Sequence, residues 1–307
     1  MTINERIIFK RILCPIDLTP ESDESLRYGI ALAKAYGAKL SVIHCVDSYV
    51  VSGSRGREHM NHFLDTAVRK HLRLPGSADF TWETVLVDGD PKTAIAQAAA
   101  ERRIDLIVMR SRRRPYAAAL MGSTAESICR TAPCPVMITH PREQDWAGVT
   151  TNEIGLQRVL VAYDFSSDSE LALSYGLSLA QEYQAELHML HVLPARTVRP
   201  AAPEIAFLAT GADNGFREAA SRLHGSLPSE TRVWCDVKQA VREGHPYREV
   251  LSYADEQKMD LICMGASGTG FGMRALFGSN ADRVLRQAPC PVLIARPLRP
   301  ALAKLTA

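Results

Sequence analysis

Several things are missing from this 307-residue chain, and each absence excludes a class of protein. The seven cysteines, Cys14, Cys45, Cys129, Cys134, Cys235, Cys263 and Cys290, are odd in number and never spaced as CxxC. That argues against a disulfide framework and reads as buried reduced thiols. No apolar run approaches membrane-spanning length. The first residues reach Arg6, Lys10, Arg11 and Asp17 too early for a secretory apolar stretch, so the expected location is cytoplasmic. A formal charge of only +2 gives no global electrostatic footprint for nucleic acid. No lysine follows a glycine in the GxxxxGK[ST] pattern, which excludes a Walker-type NTPase. Composition is otherwise ordinary, 46% apolar and 23% charged, and the length suits two folded domains.

What is present is an internal repeat. RILCPIDLT from Arg11 is answered by RVLVAYDFS from Arg158, an offset of 147 that also maps Tyr28-Gly29 onto Tyr175-Gly176 and His44 onto His191. Further on the offset becomes 155: Gly89 and Pro91 fall on Gly244 and Pro246, and Asp105 on Asp260. An eight-residue insertion in the second copy is expected within the stretch from Pro194 to Gly215. APCPVMI from Ala132 matches APCPVLI from Ala288 at an offset of 156. The expected domains are residues 1–143 and 154–299, joined by the polar stretch near Pro141 to Gly155.

Within each copy, short continuous apolar runs alternate with amphipathic segments, the pattern of strands buried on both faces between helices. In the first copy the strands are expected at Ile12 to Ile16, Leu40 to Val46, Thr84 to Val87, Ile104 to Met109 and Pro135 to Thr139. Thr19 is expected to cap a helix with Pro20 at its first position and Leu26, Ile30 and Ala33 as its apolar stripe; Leu173, Leu177 and Ala180 repeat that stripe. The fold expected is α/β: two tandem doubly wound domains, each a five-stranded, mostly parallel sheet with helices on both faces. Ligands of such sheets sit beyond the carboxyl ends of the strands.

One segment there stands out. After the fourth strand of the second copy comes GASGTGFGMRALFGSN, Gly265 to Asn280. Its glycines let backbone amides converge on phosphate oxygens, and Gly278, Ser279 and Asn280 open a helix running to about Gln287, whose amino end favours an anion. A dinucleotide fingerprint would follow the first strand, not the fourth.

Gly265, Gly268, Gly278 and Ser279 fit the pattern GxxG, nine residues, G[ST], and resemble the ATP-binding class of the universal stress protein family. The strand-end aspartates Asp17 and Asp164, the histidines His44 and His191, and the repeated APCPV agree with it. The resemblance implies an adenine nucleotide alpha hydrolase-like fold and a role in the stress response. It also implies ATP (or ADP), with Mg on the phosphates, although no acidic cluster fixes where the metal would sit. Ala162, Tyr163 and Asp164 would border the nucleoside, Val192 would contact the adenine edge, and Met264 and Gly265 would flank the ribose. Gly268 would let the loop pass the phosphates, and Gly278, Ser279 and Asn280 would hold them. Domain pairing through the last strands would bring Pro135 to Thr139 against Pro291 to Ala295 within one chain, with a further homodimer and unknown protein partners also expected.

Each residue also has a plainer reading. Asp164 could be only a turn former, His191 a hydrogen-bonded core histidine, Cys134 and Cys290 small core residues, and Arg274 an exposed loop residue. His59, His62 and His71 lack partners at metal-ligand spacing. The first copy departs from the pattern: Arg110 stands where Gly265 does and Arg113 where Gly268 does, while Gly122, Ser123 and Thr124 persist. ATP is therefore expected in the second domain only. The cluster Arg110, Arg112, Arg113 and Arg114 has no interleaved aromatics, so a solvated face or a domain contact is favoured over another anion, and nucleic acid comes last. The reading is a nucleotide-dependent binding and signalling module, with at most slow ATP hydrolysis. The alternative, a weak ATPase or phosphoryl-transfer enzyme, would need a positioned base that the loop does not offer.

Overall fold

The computed structural model describes residues 7–19, 22–46, 53–72, 80–111, 122–139, 154–195, 211–227, 231–267 and 277–296. In the first unit the order is β1 (Arg11–Pro15), α1 (Ser22–Tyr36), β2 (Lys39–Val46), α2 (Ser54–Leu72), β3 (Trp82–Asp88), α3 (Pro91–Glu101), β4 (Leu106–Arg110), α4 (Ser123–Thr131) and β5 (Val136–Thr139). The second unit repeats it with β6 (Arg158–Ala162), α5 (Ser167–Tyr183), β7 (Glu186–Pro194), α6 (Gly211–Gly225), a short α7 (Thr231–Trp234), β8 (Val237–Gly244), α8 (Pro246–Glu256), β9 (Leu261–Gly265), α9 (Ser279–Gln287) and β10 (Val292–Ala295).

Each unit contributes five parallel strands, but they do not form two separate sheets. They merge into one ten-stranded sheet of order β3-β2-β1-β4-β5-β10-β9-β6-β7-β8. The junction is the antiparallel pair β5 and β10, in register Val292 with Ile138 and Ile294 with Val136. Left alone, each of these fully buried strands would be a sheet edge with unmatched amides and carbonyls, and pairing satisfies both at once.

Alternate residues along each strand feed two cores. Ile12, Cys14, Val159 and Val161 pack under α1, α2, α5 and α6, while Leu13, Ile107, Leu160 and Ile262 pack under α3, α4, α8 and α9. Both cores run through both units. The stripe residues Leu26, Ile30, Ala33, Leu173, Leu177 and Ala180 are all buried in the first of them.

The described part of α1 begins at Ser22; the Thr19 hydroxyl donates to the Asp17 carboxylate at 2.5 Å, as the equivalent Ser166 does to Asp164 in the second unit, and the expected first helical position, Pro20, lies outside the described residues. One local expectation needs correction. β4 starts at Leu106 rather than Ile104, because the Ile104 amide closes the end of α3 on the Ala99 carbonyl at 2.9 Å. The domain junction near residues 140–153 and much of the expected insertion lie outside the described residues.

All seven cysteines are free thiols, and all but Cys45 are buried. Burial pushes Cys14 and Cys129 up to about 12 and Cys45 and Cys235 up to about 11, so none of these four is a ready thiolate. No helix among the described residues is long and apolar enough to cross a membrane.

Candidate functional site

The carboxyl ends of β6, β7 and β9 lie side by side, because β6 pairs with β7 on one flank and with β9 on the other. Strand order reverses between β6 and β9, the position where open α/β sheets hold ligands. Ala162, Val192 and Met264 all pack against the same core face and so line one side of this edge.

Asp164 is the first residue beyond the Ala162–Tyr163 step. The chain turns there through Phe165, whose φ of 64° is unusual for an aromatic residue. The turn is held by Asp164, whose Oδ1 accepts from the Ser166 amide at 3.1 Å and the Ser166 hydroxyl at 2.5 Å, while Ser166 caps α5 by accepting from the Ser169 amide. Asp164 is thus a turn former, with its carboxylate fixed at the strand end. His191 Nδ1 lies 2.8 Å from the Tyr163 carbonyl oxygen. A carbonyl can only accept, so Nδ1 carries the proton and ties β7 to the peptide that presents Asp164. His191 is half-buried against Phe165, ring centroids 4.6 Å apart, rather than deep in the core. Burial pushes the Tyr163 phenol above its ordinary range, and Arg222 of α6 covers the Phe165 ring at 4.1 Å.

The other half of the site is backbone. β9 ends on Met264 and Gly265, and α5 passes so close that a Cβ on Gly265 would lie 2.7 Å from Asp168 Cβ and 2.8 Å from its carbonyl carbon. Only glycine fits there without moving the start of the helix. Asp168 then accepts the Ser267 amide at 3.0 Å, fixing the first residues of the glycine-rich loop. The Gly278 amide donates to the Ala266 carbonyl at 2.9 Å and draws the loop ends together. Gly278 is the N-cap of α9, in extended conformation and with no side chain over the helix end; Ser279 and Asn280 are exposed just inside it. The first amides of such a helix have no partner within it. Gly268 and Arg274 lie outside the described residues.

The first unit keeps the strand-end turn almost unchanged. Asp17 Oδ1 accepts from the Thr19 amide at 3.1 Å, Leu18 has a φ of 61°, and His44 Nδ1 meets the Ile16 carbonyl at 2.8 Å. The end of the fourth strand differs. Arg110 ends β4 where Gly265 ends β9, and its guanidinium pairs with Glu24 of α1 at 3.4 Å, both side chains largely buried. At the offset of 147, Glu24 corresponds to Leu171, so an arginine and a glutamate stand where the second unit has a glycine and a leucine. Arg112, Arg113 and Arg114 lie outside the described residues.

Sequence reasoning missed Asp168, Glu24 and Phe277. Asp168 looks like an ordinary acidic first-turn residue, and only the Gly265 contact reveals it. His59 packs edge-on against Phe63, and His71 sits 3.8 Å from Asp23. Among the described residues no group of three or more His, Cys, Asp or Glu side chains converges.

A mostly parallel sheet with helices on both faces and glycine at its switch-point edge defines a doubly wound α/β protein. The family model for the universal stress protein family matches residues 8–140 and 155–296, and the chain belongs to that family. It is 25% identical over 301 residues to a universal stress protein of Mycolicibacterium smegmatis, covering 93% of this chain and 97% of that protein. It is 26% identical over 145 residues to one from Methanocaldococcus jannaschii, covering 46% of this chain and 82% of that protein. Among solved structures, a universal stress protein from Archaeoglobus fulgidus superposes with a TM-score of 0.61 at 22% identity, over 93% of this chain and 98% of the other. That likeness supports the tandem fold.

Proposed function

We propose that the second unit binds ATP (or ADP) and that the tandem works as a nucleotide-dependent binding and signalling module of the stress response. The observation that carries this is the bare backbone at the end of β9: Gly265 packed on Asp168, with Gly278 closing the loop and opening α9. In this reading Asp164 accepts from the nucleoside, and Ala162, Tyr163, Val192 and Met264 border the base and ribose. The backbone of Gly265 and Gly268 passes the phosphates, which rest on the amino end of α9 at Gly278, Ser279 and Asn280. With no converging protein ligands among the described residues, Mg would be held chiefly by the phosphates.

Binding is favoured over designed turnover because both carboxylates at this edge are engaged: Asp164 in its turn and Asp168 on the Ser267 amide. Neither is poised as a base toward a terminal phosphate. The first unit, with Arg110 and Glu24 in place of the glycine cradle, keeps the frame without the phosphate seat.

The test is stoichiometry. Nucleotide released from purified protein and identified by mass spectrometry, together with calorimetric titration of ATP into stripped protein, is expected to give one adenine nucleotide per chain. Two per chain would refute the asymmetry, and none would refute the site. Rapid single-turnover hydrolysis, abolished by changing one side chain at the site, would instead establish the enzyme.

A further inference from the structure

The helix of the first unit that would have served its own phosphate site, α4, is fastened to the second unit. The Arg130 guanidinium carbon lies 5.5 Å from the centroid of the Phe277 ring. Glu126, one turn earlier, accepts from Arg130 at 2.9 Å and forms an ion pair with Arg286 of α9 at 3.5 Å, and Arg286 is itself held by Asp282 at 2.7 Å. At the carboxyl end of α4, Arg296 beyond β10 donates to the carbonyls of Cys129 and Arg130. A cation there matches the negative end of the helix.

Phe277 is what links this seam to the ligand site. It is 9% exposed, sits in the core under α9, and immediately precedes Gly278, whose amide closes the loop on Ala266. Its buried ring anchors the chain at the residue before the amino end of α9. Part of its seat is a side chain from the other unit.

The arrangement is not a by-product of the repeat. At the offset of 156, Arg130 corresponds to Arg286 and Glu126 to Asp282, so the charged pairs are duplicated. Phe277, however, corresponds to Met121 and Arg296 to His140, so the aromatic platform and the arginine clamp belong to one direction only, from the second unit onto α4. We infer that Arg130 of the first unit is a positioning residue for the amino end of α9 in the second, acting through Phe277, so that nucleotide affinity in one unit depends on a side chain of the other. This rests on the reading of that helix end as part of the nucleotide site.

Calorimetric titration of ATP into the full chain tests it, with thermal melts confirming that each variant is folded. Arg130→Gln is expected to weaken ATP by about two- to fivefold, the size of a partly exposed cation–π contact. Arg130→Lys should restore much of the affinity, since it keeps the charge but not the flat stacking face. Phe277→Leu should weaken binding, and adding Arg130→Gln to it should cost nothing more, because the two act as one unit. Arg69→Gln removes a cation from the Trp82 ring, also 5.5 Å away, in the first unit, and should leave ATP binding unchanged. In the unaltered chain, ATP should slow amide exchange in residues 123–131; this decides the matter alone if Arg130→Gln does not fold. Unchanged affinity in a folded Arg130→Gln, or an α4 whose exchange ignores ATP, overturns the inference while leaving the site intact. A wild-type chain that takes up no ATP removes the site and the inference together.

Discussion

The two units share the turn after their first strand and differ at the end of their fourth, and that contrast separates what the fold requires from what one unit alone carries. The left-handed turn after the first strand, the aspartate that holds it and the histidine bonded to the preceding carbonyl recur at Asp17, Leu18 and His44 and at Asp164, Phe165 and His191. A feature kept in both units, whatever stands at the end of the fourth strand, serves the fold. Asp105 and Asp260 behave the same way, each accepting two amides at the start of the first strand. What the copies do not share is Gly265 with Leu171 against Arg110 with Glu24: bare backbone at one edge, a largely buried ion pair at the other. A side chain at that strand end requires the neighbouring helix to stand off, and the first unit fills the space with a guanidinium.

The largest effect should come from forcing the second unit toward the first. Gly265→Arg copies Arg110 without a Glu24 to receive it, since Leu171 stands there, and should abolish ATP binding in calorimetry. Gly265→Ala isolates the steric part. Its methyl would sit 2.8 Å from the Asp168 carbonyl carbon, so the start of α5 and the Ser267 amide must both shift. Overpacking of this kind costs about 1–3 kcal/mol, and the expected result is a lowered melting temperature together with at least about tenfold weaker ATP. An alanine variant that binds ATP like wild type would remove Gly265 as the distinguishing residue.

A second pair of glycines sharpens the comparison in the core. Gly29 in α1 and Gly176 in α5 are equivalent in sequence, yet a methyl on Gly29 would meet Cys14 and Leu40 at 3.5 Å, ordinary contact, while one on Gly176 would meet Val161 Cγ2 at 2.5 Å. Val161 is a buried strand residue with little room to turn away. Gly29→Ala should therefore stabilise by about 0.5–1 kcal/mol through helix propensity, and Gly176→Ala should destabilise by about 1–3 kcal/mol. Urea unfolding of the two variants measures the difference; equal shifts would mean that α5 can lift off β6 as readily as α1 sits on β1.

Much of the frame was legible because buried parallel strands are written as continuous apolar runs. Ile12 to Ile16 and Leu40 to Val46 lie within a residue of β1 and β2, and the opening of α9 at Gly278 follows from its glycine and polar first turn. The miss fell where a neighbouring element decides: Ile104 reads as a strand residue, yet α3 claims its amide. The joining of two sheets into one could be suspected from the repeated last strands and needed the β5 and β10 register to be seen. In the candidate site, the glycines announced themselves, whereas Asp168 and Phe277 carry no local signature. Their meaning comes from what lies 99 residues away in the chain, in the case of Asp168 and Ser267, or in the other unit, in the case of Phe277 and Arg130.

The smallest expected effect concerns acid. In the first unit, His71 at the end of α2 is buried, and burial holds its imidazole below the ordinary value of 6.5; Asp23 at 3.8 Å pulls the other way without overcoming it, and Lys70 and Arg27 push it further down. In the second unit the buried histidine is His188, at the place equivalent to Ser41, and both its ring nitrogens are matched, by the Tyr253 hydroxyl at 2.8 Å and Glu186 at 2.9 Å. For His71 the unfolded chain takes up a proton as pH falls through about 6.5 while the folded chain does not. The unfolded state then binds more protons, so stability declines from there down to the lowered folded value. Urea midpoints measured from about pH 7.5 to about pH 5.5 should fall, and His71→Phe should flatten that slope. A slope that survives His71→Phe would place the acid sensitivity elsewhere and erase this difference between the units.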